Sequence, residues 1–354
     1  MTIRRIGFAC KLSTLDPKKG AVSIPKYNTQ TTTITWLNRQ TCDVAVEKLW
    51  MLAKWNIESI KNLVDYVGDF PHGMRMVRLS SDILPAYTHE SWSWFYKQTD
   101  FINYAERHFA EVGRIAREKD VRISFHPGQF TVLASTDENV VQRSIEEFEY
   151  HADMSRWMGY GQRFQDMKIN VHIAGRKGPQ GIIDVLPKLS VEARNCITIE
   201  NDEMTWGVDD SLKLVDHLAL VLDIHHHYIK TGEYIQADDD RIKRIIDSWR
   251  DVRPAVHYSL SREDGVLEHN TEQLPQLSLL LEQGYKKQKL RAHSDYMYNH
   301  AANAWALTHG EWADIMVEAK MKNLASCQLF EFRKGLEDPV SPILELADDT
   351  FTCA

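Results

Sequence analysis

Short apolar runs rich in β-branched residues alternate along the chain with longer stretches whose apolar positions recur every three to four residues. The runs fall at 3–9 (IRRIGFA), 74–79 (MRMVRL), 121–126 (VRISFH), 167–173 (MKINVHI), 196–200 (CITIE), 219–224 (ALVLDI), 255–259 (AVHYS) and 313–319 (ADIMVEA). Helical patterning lies at about 42–66, 101–118, 138–158, 181–188, 209–217, 237–249, 272–284 and 320–334. Near-continuous apolar strands separated by helices indicate parallel strands buried on both faces and joined by crossover helices. Eight strands, each followed by a helix, predict an α/β fold, a single (β/α)8 TIM barrel spanning 1–354. An open doubly wound sheet is the rival arrangement. No fixed-period repeat, low-complexity tract or linker divides the chain, so one domain is expected.

Chemistry collects where these strands end. The third to fifth runs end at His126, His172 and Glu200, and the sixth at Asp223 with His225, His226 and His227 behind it. The seventh carries His257 and the eighth Glu318. In a barrel these positions converge on the C-terminal face, where active sites of the fold lie. A single strand-end histidine is more often structural than a ligand. A carboxylate in an apolar strand is different, because burial without a partner costs several kcal/mol. The strands offer almost no Lys or Arg beside Glu200, Asp223 and Glu318. Divalent cations would satisfy all six side chains together. His and carboxylate ligands without thiolate favour Zn²⁺, Mn²⁺ or a similar ion over Ca²⁺, and more than four candidates imply more than one ion. Multinuclear sites of this kind typically cleave phosphate esters, although two-metal sugar isomerases share the fold. No GxGxxG or P-loop pattern is present, so no nucleotide cofactor is expected.

Composition adds limits. At 43% hydrophobic and 26% charged residues the chain is an ordinary globular one. Five cysteines (Cys10, Cys42, Cys196, Cys327, Cys353) form no CxxC pair, which suits a reducing compartment. MTIRRIGFAC has no signal-peptide pattern and no stretch approaches a membrane span, so a cytoplasmic protein is expected. The formal net charge of −8 argues at first against nucleic acid as partner. Its distribution is uneven: residues 1–50 carry 8 basic and 3 acidic side chains, 201–250 carry 6 and 11, and 301–354 carry 4 and 9.

Eight motifs in order then resemble the UV damage endonuclease family: RLSSDILP (78–85), FHPGQF (125–130), NVHIAG (170–175), IEND (199–202), DIHH (223–226), VHYS (256–259), RAHSDYM (291–297) and DIMVEAK (314–320). IGFAC and KWNIESI (54–60) fit the same pattern, and the likeness covers about 3–325, leaving 326–354 as a C-terminal extension. The resemblance implies a TIM barrel related to endonuclease IV that holds three divalent ions. Mn²⁺ is the foremost candidate, with Zn²⁺, Mg²⁺ and Co²⁺ as alternatives. The implied activity is nicking of double-stranded DNA immediately 5′ of UV photoproducts (cyclobutane pyrimidine dimers and 6-4 products), leaving a 3′-hydroxyl.

Carried over by position, His126 and His172 would hold one ion, with Glu200 bridging to a second that Asp223, His257 and Glu318 complete. His226 and His293 would hold the third, Asp295 would orient a ligand there, and His225 and His227 would be outer-layer or solvent-facing. Glu200, Asp223, His257 and Glu318 form the implied catalytic core. The resemblance places Gln129 and Phe130 in the duplex at the damage, with Phe8 near the same place. Arg78, Ser80, Ser81 and the KKQK cluster (286–289) are candidates for phosphate contacts. The chain departs from the family at Phe8 and Phe130, where Tyr is frequent, and at Ala255, where the family has a Lys two residues before the strand-seven His.

An endonuclease IV-type abasic-site enzyme is the nearest alternative, followed by a two-metal sugar isomerase and a non-catalytic damage-binding protein. A monomer is expected. Three divalent ions would bring the formal charge from −8 to −2, with the basic first fifty residues approaching phosphate and acidic blocks at 237–240 and 337–349 facing solvent.

Overall fold

Strand β1 (Ile6–Ala9) begins the chain's regular structure, followed by an antiparallel hairpin of β2 (Ser13–Asp16) and β3 (Gly20–Ser23) in this computed structural model. Seven more strands follow: β4 (Met76–Arg78), β5 (Arg122–Phe125), β6 (Lys168–His172), β7 (Ile197–Glu200), β8 (Ala219–Asp223), β9 (Ala255–Tyr258) and β10 (Asp314–Val317). All but the hairpin close into a parallel eight-stranded barrel in chain order, β10 pairing back onto β1. The fold is therefore the predicted (β/α)8 barrel, with each of the eight expected runs supplying one strand. The structure describes residues 3–263 and 270–337, so most of the 326–354 extension and of the 337–349 acidic block lies outside the described residues.

Each barrel strand alternates between two environments, as the two-residue period of a strand requires. Outward side chains such as Phe8, Val77, Phe125, Ile169, Val171, Ile199, Leu222, Val256 and Val317 join the main core beneath the helices. Inward residues near the barrel floor (Met76, Ala219, Val221, Ala255, Met316) form a separate small apolar cluster with Trp249. Gly7 also faces this lumen, where a Cβ would stand 2.6 Å from the Met76 side chain. Higher up the inward columns turn polar: Ser124 and His126, Lys168, Asn170 and His172, Thr198 and Glu200. Register sets the levels, with His172 opposite Glu200 and Asp223 opposite His257.

The long helix Cys42–Val67 buries Ala45, Leu49, Leu52, Ile57, Ile60, Leu63 and Val64, the three-to-four spacing that a single core-facing stripe demands. The helices Thr99–Glu118, Glu138–Trp157, Asp240–Ser248 and Asn323–Glu337 sit close to their expected spans. Others differ. The 181–188 pattern starts earlier, at Gly178–Val185, and 272–284 shortens to Leu277–Glu282. The 209–217 pattern contracts to Val208–Ser211 and one 3-10 turn, Leu212–Leu214. The unforeseen hairpin turns on Asp16, whose Oδ1 accepts from the N–H groups of Lys18 and Lys19, and on Gly20 at φ +72°. No described helix is long and apolar enough to cross a membrane.

Candidate metal centre at the mouth of the barrel

The histidine run after β8 is not a loop. Asp223 caps a short helix, Ile224–Thr231, by accepting the His226 N–H at Oδ1 (2.7 Å), and Gly232 ends it in the left-handed region at φ +79°. Asn201, directly after β7, clamps the Asp223 backbone by accepting its N–H (2.9 Å) and donating to its carbonyl (3.0 Å). With Oδ1 engaged, Oδ2 is left facing the lumen. Glu200 is held comparably: Asn170 donates to its Oε2, and Thr198 donates to the Asn170 side-chain oxygen at 2.8 Å.

Around Glu200 the imidazoles converge. His257 Nδ1 lies 3.0 Å and His126 Nε2 3.4 Å from Oε2, while His226 Nδ1 lies 3.3 Å and His172 Nδ1 3.9 Å from Oε1. Glu318 Oε1 is 3.2 Å from His257 Nδ1. The ligand atoms gather in three groups: His126–Glu200–His257, His172–Glu200–His226 and Asp223–His257–Glu318. The third holds the three residues expected to complete the second site, without the bridging Glu200. The first two divide His126 and His172 between different neighbours, although their rings stand 4.9 Å apart. Among the described residues His293 joins none of these groups; its ring meets His225 at 6.1 Å.

Glu200 Oε1, Asp223 Oδ2 and His257 Nδ1 are buried without a hydrogen-bond partner. Three orphaned atoms of ligating type at one spot fit a multinuclear cation site. The electrostatics show the same frustration. Burial pushes the Asp223 carboxyl well above its ordinary range, Glu200 and Glu318 add repulsion, and His226 pulls the other way. Against its own burial, Glu200 is held well below the usual range by His257 and His172, and Glu318 by Arg78 and His257. Burial lowers His257 to about 4, whereas Asp223, Glu200 and Glu203 raise His226 to about 9 against its burial.

Several expectations need correction. The carboxylates do have cations beside them. Arg78 pairs with Glu318, so it is not a free phosphate contact, and Lys168 enters the lumen with Nζ 2.8 Å from His257 Nε2. Lys168 is the functional-site neighbour the sequence reading missed. Its signal was the column of KINVH, in which Lys168, Asn170 and His172 share one face. Phe8 is only 1% exposed, and it alternates with the lumen-facing Gly7, so its ring lies under the helices rather than near a duplex. His225 and His227 are buried, not solvent-facing, and His227 Nε2 lies 2.9 Å from Glu233. Asp295 faces Lys320 at 3.5 Å rather than a ligand. In the KKQK cluster, Lys287 donates to the Lys230 carbonyl at 3.2 Å. Ser80 is buried, with Oγ 3.2 Å from Thr29 Oγ1, and Ser81 donates to the His126 carbonyl at 2.7 Å, steadying that strand end. Gln129 is exposed beside Phe130, which is 86% exposed.

Residues 4–346 match the family described as UV-endonuclease UvdE. The chain belongs to that family. Among UvdE relatives, the UV-damage endonuclease of Schizosaccharomyces pombe is 28% identical over 352 residues, covering 96% of this chain but 52% of that protein. This chain thus spans about half the length of that relative. The UV DNA damage endonuclease of Bacillus velezensis is 28% identical over 298 residues, 80% of this chain and 82% of its own. In fold, the crystal structure of SacUVDE superposes with a TM-score of 0.70 at 23% identity, covering 94% of this chain and 99% of that one. Endonuclease IV from Thermus thermophilus gives 0.51 at 14% identity, over 94% of this chain and 99% of its own.

Proposed function

We propose that this chain is a metal-dependent DNA repair endonuclease that nicks double-stranded DNA immediately 5′ of UV photoproducts, cyclobutane pyrimidine dimers and 6-4 products, leaving a 3′-hydroxyl. One observation carries the reading: the orphaned Glu200 Oε1, Asp223 Oδ2 and His257 Nδ1, enclosed by histidines at the mouth of a UvdE-family barrel. His126, His172, Glu200, Asp223, His226, His257 and Glu318 are the residues that would hold divalent ions, with His293 at the rim. Three ions, Mn²⁺ foremost, agree with the donor set. Bound there, such ions supply Lewis-acid charge for the phosphodiester and its attacking water.

The rest is done by the chain. Asn170 and Thr198 hold the Glu200 carboxylate in one orientation, and the helix cap leaves Asp223 one free oxygen. Arg78 offsets Glu318. Lys11, Arg176, Lys177, Lys320 and Lys322 follow strand ends in the mouth loops, where phosphate would pass despite the acidic total. The Gln129–Phe130 tip stands clear of the barrel, free to enter a stack that a photodimer has already weakened. The enzyme would act as a cytoplasmic monomer with no nucleotide cofactor.

The test is nicking of UV-irradiated supercoiled plasmid with Mn²⁺ or EDTA, beside duplexes carrying one cyclobutane dimer or one abasic site. Mn²⁺-dependent cleavage on the 5′ side of the dimer is expected, lost in Glu200→Gln. Cleavage confined to the abasic duplex would assign an endonuclease IV-type activity instead, and EDTA-insensitive binding without any cut would refute catalysis.

A further inference from the structure

Directly after Glu200 on β7 the chain continues Asn201, Asp202, Glu203 and turns sharply. Asp202 Oδ1 accepts from the N–H groups of Met204 and Thr205, and the Asp202 N–H donates to the Trp206 carbonyl at 2.8 Å. Glu203 sits inside this turn and is only 8% exposed. Arg291 grips Glu203 Oε1 through Nε and Nη2. The second carboxylate oxygen, Oε2, lies 3.8 Å from His226 Nε2, too far for a hydrogen bond.

The other nitrogen of His226 decides which atom can ligate. Nδ1 lies 3.0 Å from the Asn201 carbonyl, and a carbonyl only accepts, so Nδ1 carries the proton. It therefore has no lone pair for an ion, although it passes 3.3 Å from Glu200 Oε1. The ligating lone pair belongs to Nε2, which faces Glu203. Two ligand atoms each about 2.1 Å from one ion stand about 3.0 Å apart at a right angle and about 4.2 Å apart when opposite. The 3.8 Å from His226 Nε2 to Glu203 Oε2 falls inside that range. Among the described residues His293, the other ligand expected on this ion, joins no group of ligand atoms.

We propose that Glu203 is a further metal ligand, binding through Oε2 the ion that His226 holds through Nε2, with Arg291 aiming the carboxylate. The inference rests on the metal-centre reading above and adds one residue to its donor set. A carboxylate beside an imidazole suits Mn²⁺ better than imidazoles alone. The competing account makes Glu203 only the anchor of an ion pair that ties the turn at 201–206 to Arg291. In that account, neutralising either partner of the pair has the same effect on metal binding. If Glu203 is a ligand, only its own loss removes a donor.

The experiment is titration of metal-stripped protein with Mn²⁺, followed by the electron paramagnetic resonance signal of free Mn²⁺, for wild type, Glu203→Gln and Arg291→Met. Loss of a mere outer partner of a ligand costs about 10- to 100-fold in metal affinity, and loss of a ligand costs at least as much. Glu203→Gln should therefore hold its weakest Mn²⁺ at least about tenfold more loosely than wild type. Arg291→Met breaks the same ion pair but keeps the carboxylate, and should lose much less. Unchanged binding by Glu203→Gln, or equal losses in the two variants, overturns the ligand role. Should Glu203→Gln not fold with the guanidinium left unpaired, Glu203→Gln is placed in the Arg291→Met background and compared with Arg291→Met alone. Equal Mn²⁺ binding in that pair overturns the role in the same way. Wild-type protein that binds no Mn²⁺ would overturn the metal centre itself and this inference with it, an outcome distinct from the others.

Discussion

Restoring divalent ions to stripped protein should raise its stability by an amount the structure bounds. Glu200 Oε1, Asp223 Oδ2 and His257 Nδ1 lie buried without hydrogen-bond partners. Each such group costs about 1–3 kcal/mol, so ions that engage all three recover about 3–9 kcal/mol. Unfolding entropy of about 2 cal/mol/K per residue amounts to about 0.7 kcal/mol/K for 354 residues. The melting temperature should therefore rise by about 4–13 °C at saturating Mn²⁺. Asp223→Asn sharpens the test. Burial, with Glu200 and Glu318, pushes the Asp223 carboxyl well above its ordinary range in the metal-free chain, and a neutral amide carries no charge to bury. The variant should keep the metal-free melting temperature or raise it, and lose most of the Mn²⁺ increment. Differential scanning calorimetry of both proteins with EDTA and with graded Mn²⁺ gives the answer. No shift in wild type, or equal shifts in both, would refute the account of the three atoms as waiting ligands.

Two aromatic positions should separate cleanly. Phe130→Ala, at an 86% exposed site, should leave stability within about 0.5 kcal/mol but reduce preference for irradiated over undamaged duplex by about tenfold. Phe8→Ala should cost about 3–5 kcal/mol and leave that preference intact, as measured by urea unfolding and competitive binding; the reverse pattern would restore Phe8 to the interface. Acid should also destabilise the fold away from the site. Burial lowers His151 and His309 to about 4, so their contribution is complete above about pH 6.5 and is lost as pH falls through about 4. Burial raises Glu147 to about 7, which gives an opposite slope but from one group against two. Urea unfolding of wild type and His309→Phe at pH 7 and pH 5 isolates one such group: the variant should lose about 2 kcal/mol less than wild type between the two, and an equal pH slope would remove that residue from the explanation.

The sequence by itself determined the barrel. Its eight apolar runs are buried on both faces, and a parallel sheet tolerates little else, so strand number, order and the level of His126, His172, Glu200, Asp223, His257 and Glu318 were all legible. Even the lumen was written there, since Lys168, Asn170 and His172 alternate with Ile169 and Val171 on the same strand. Tertiary structure alone decided which nitrogen meets which oxygen, because those pairings depend on register between strands far apart in sequence. Asp223 loses one oxygen to a helix cap that begins at its own position, and Arg78 reaches Glu318 only because the barrel closes. Phe8 was misplaced for the same reason: a strand's two faces look alike in an apolar run until closure says which is inside. The mouth loops were the least legible. Their backbone groups are satisfied by individual contacts such as Ser81 on the His126 carbonyl, and such contacts have no periodicity to read.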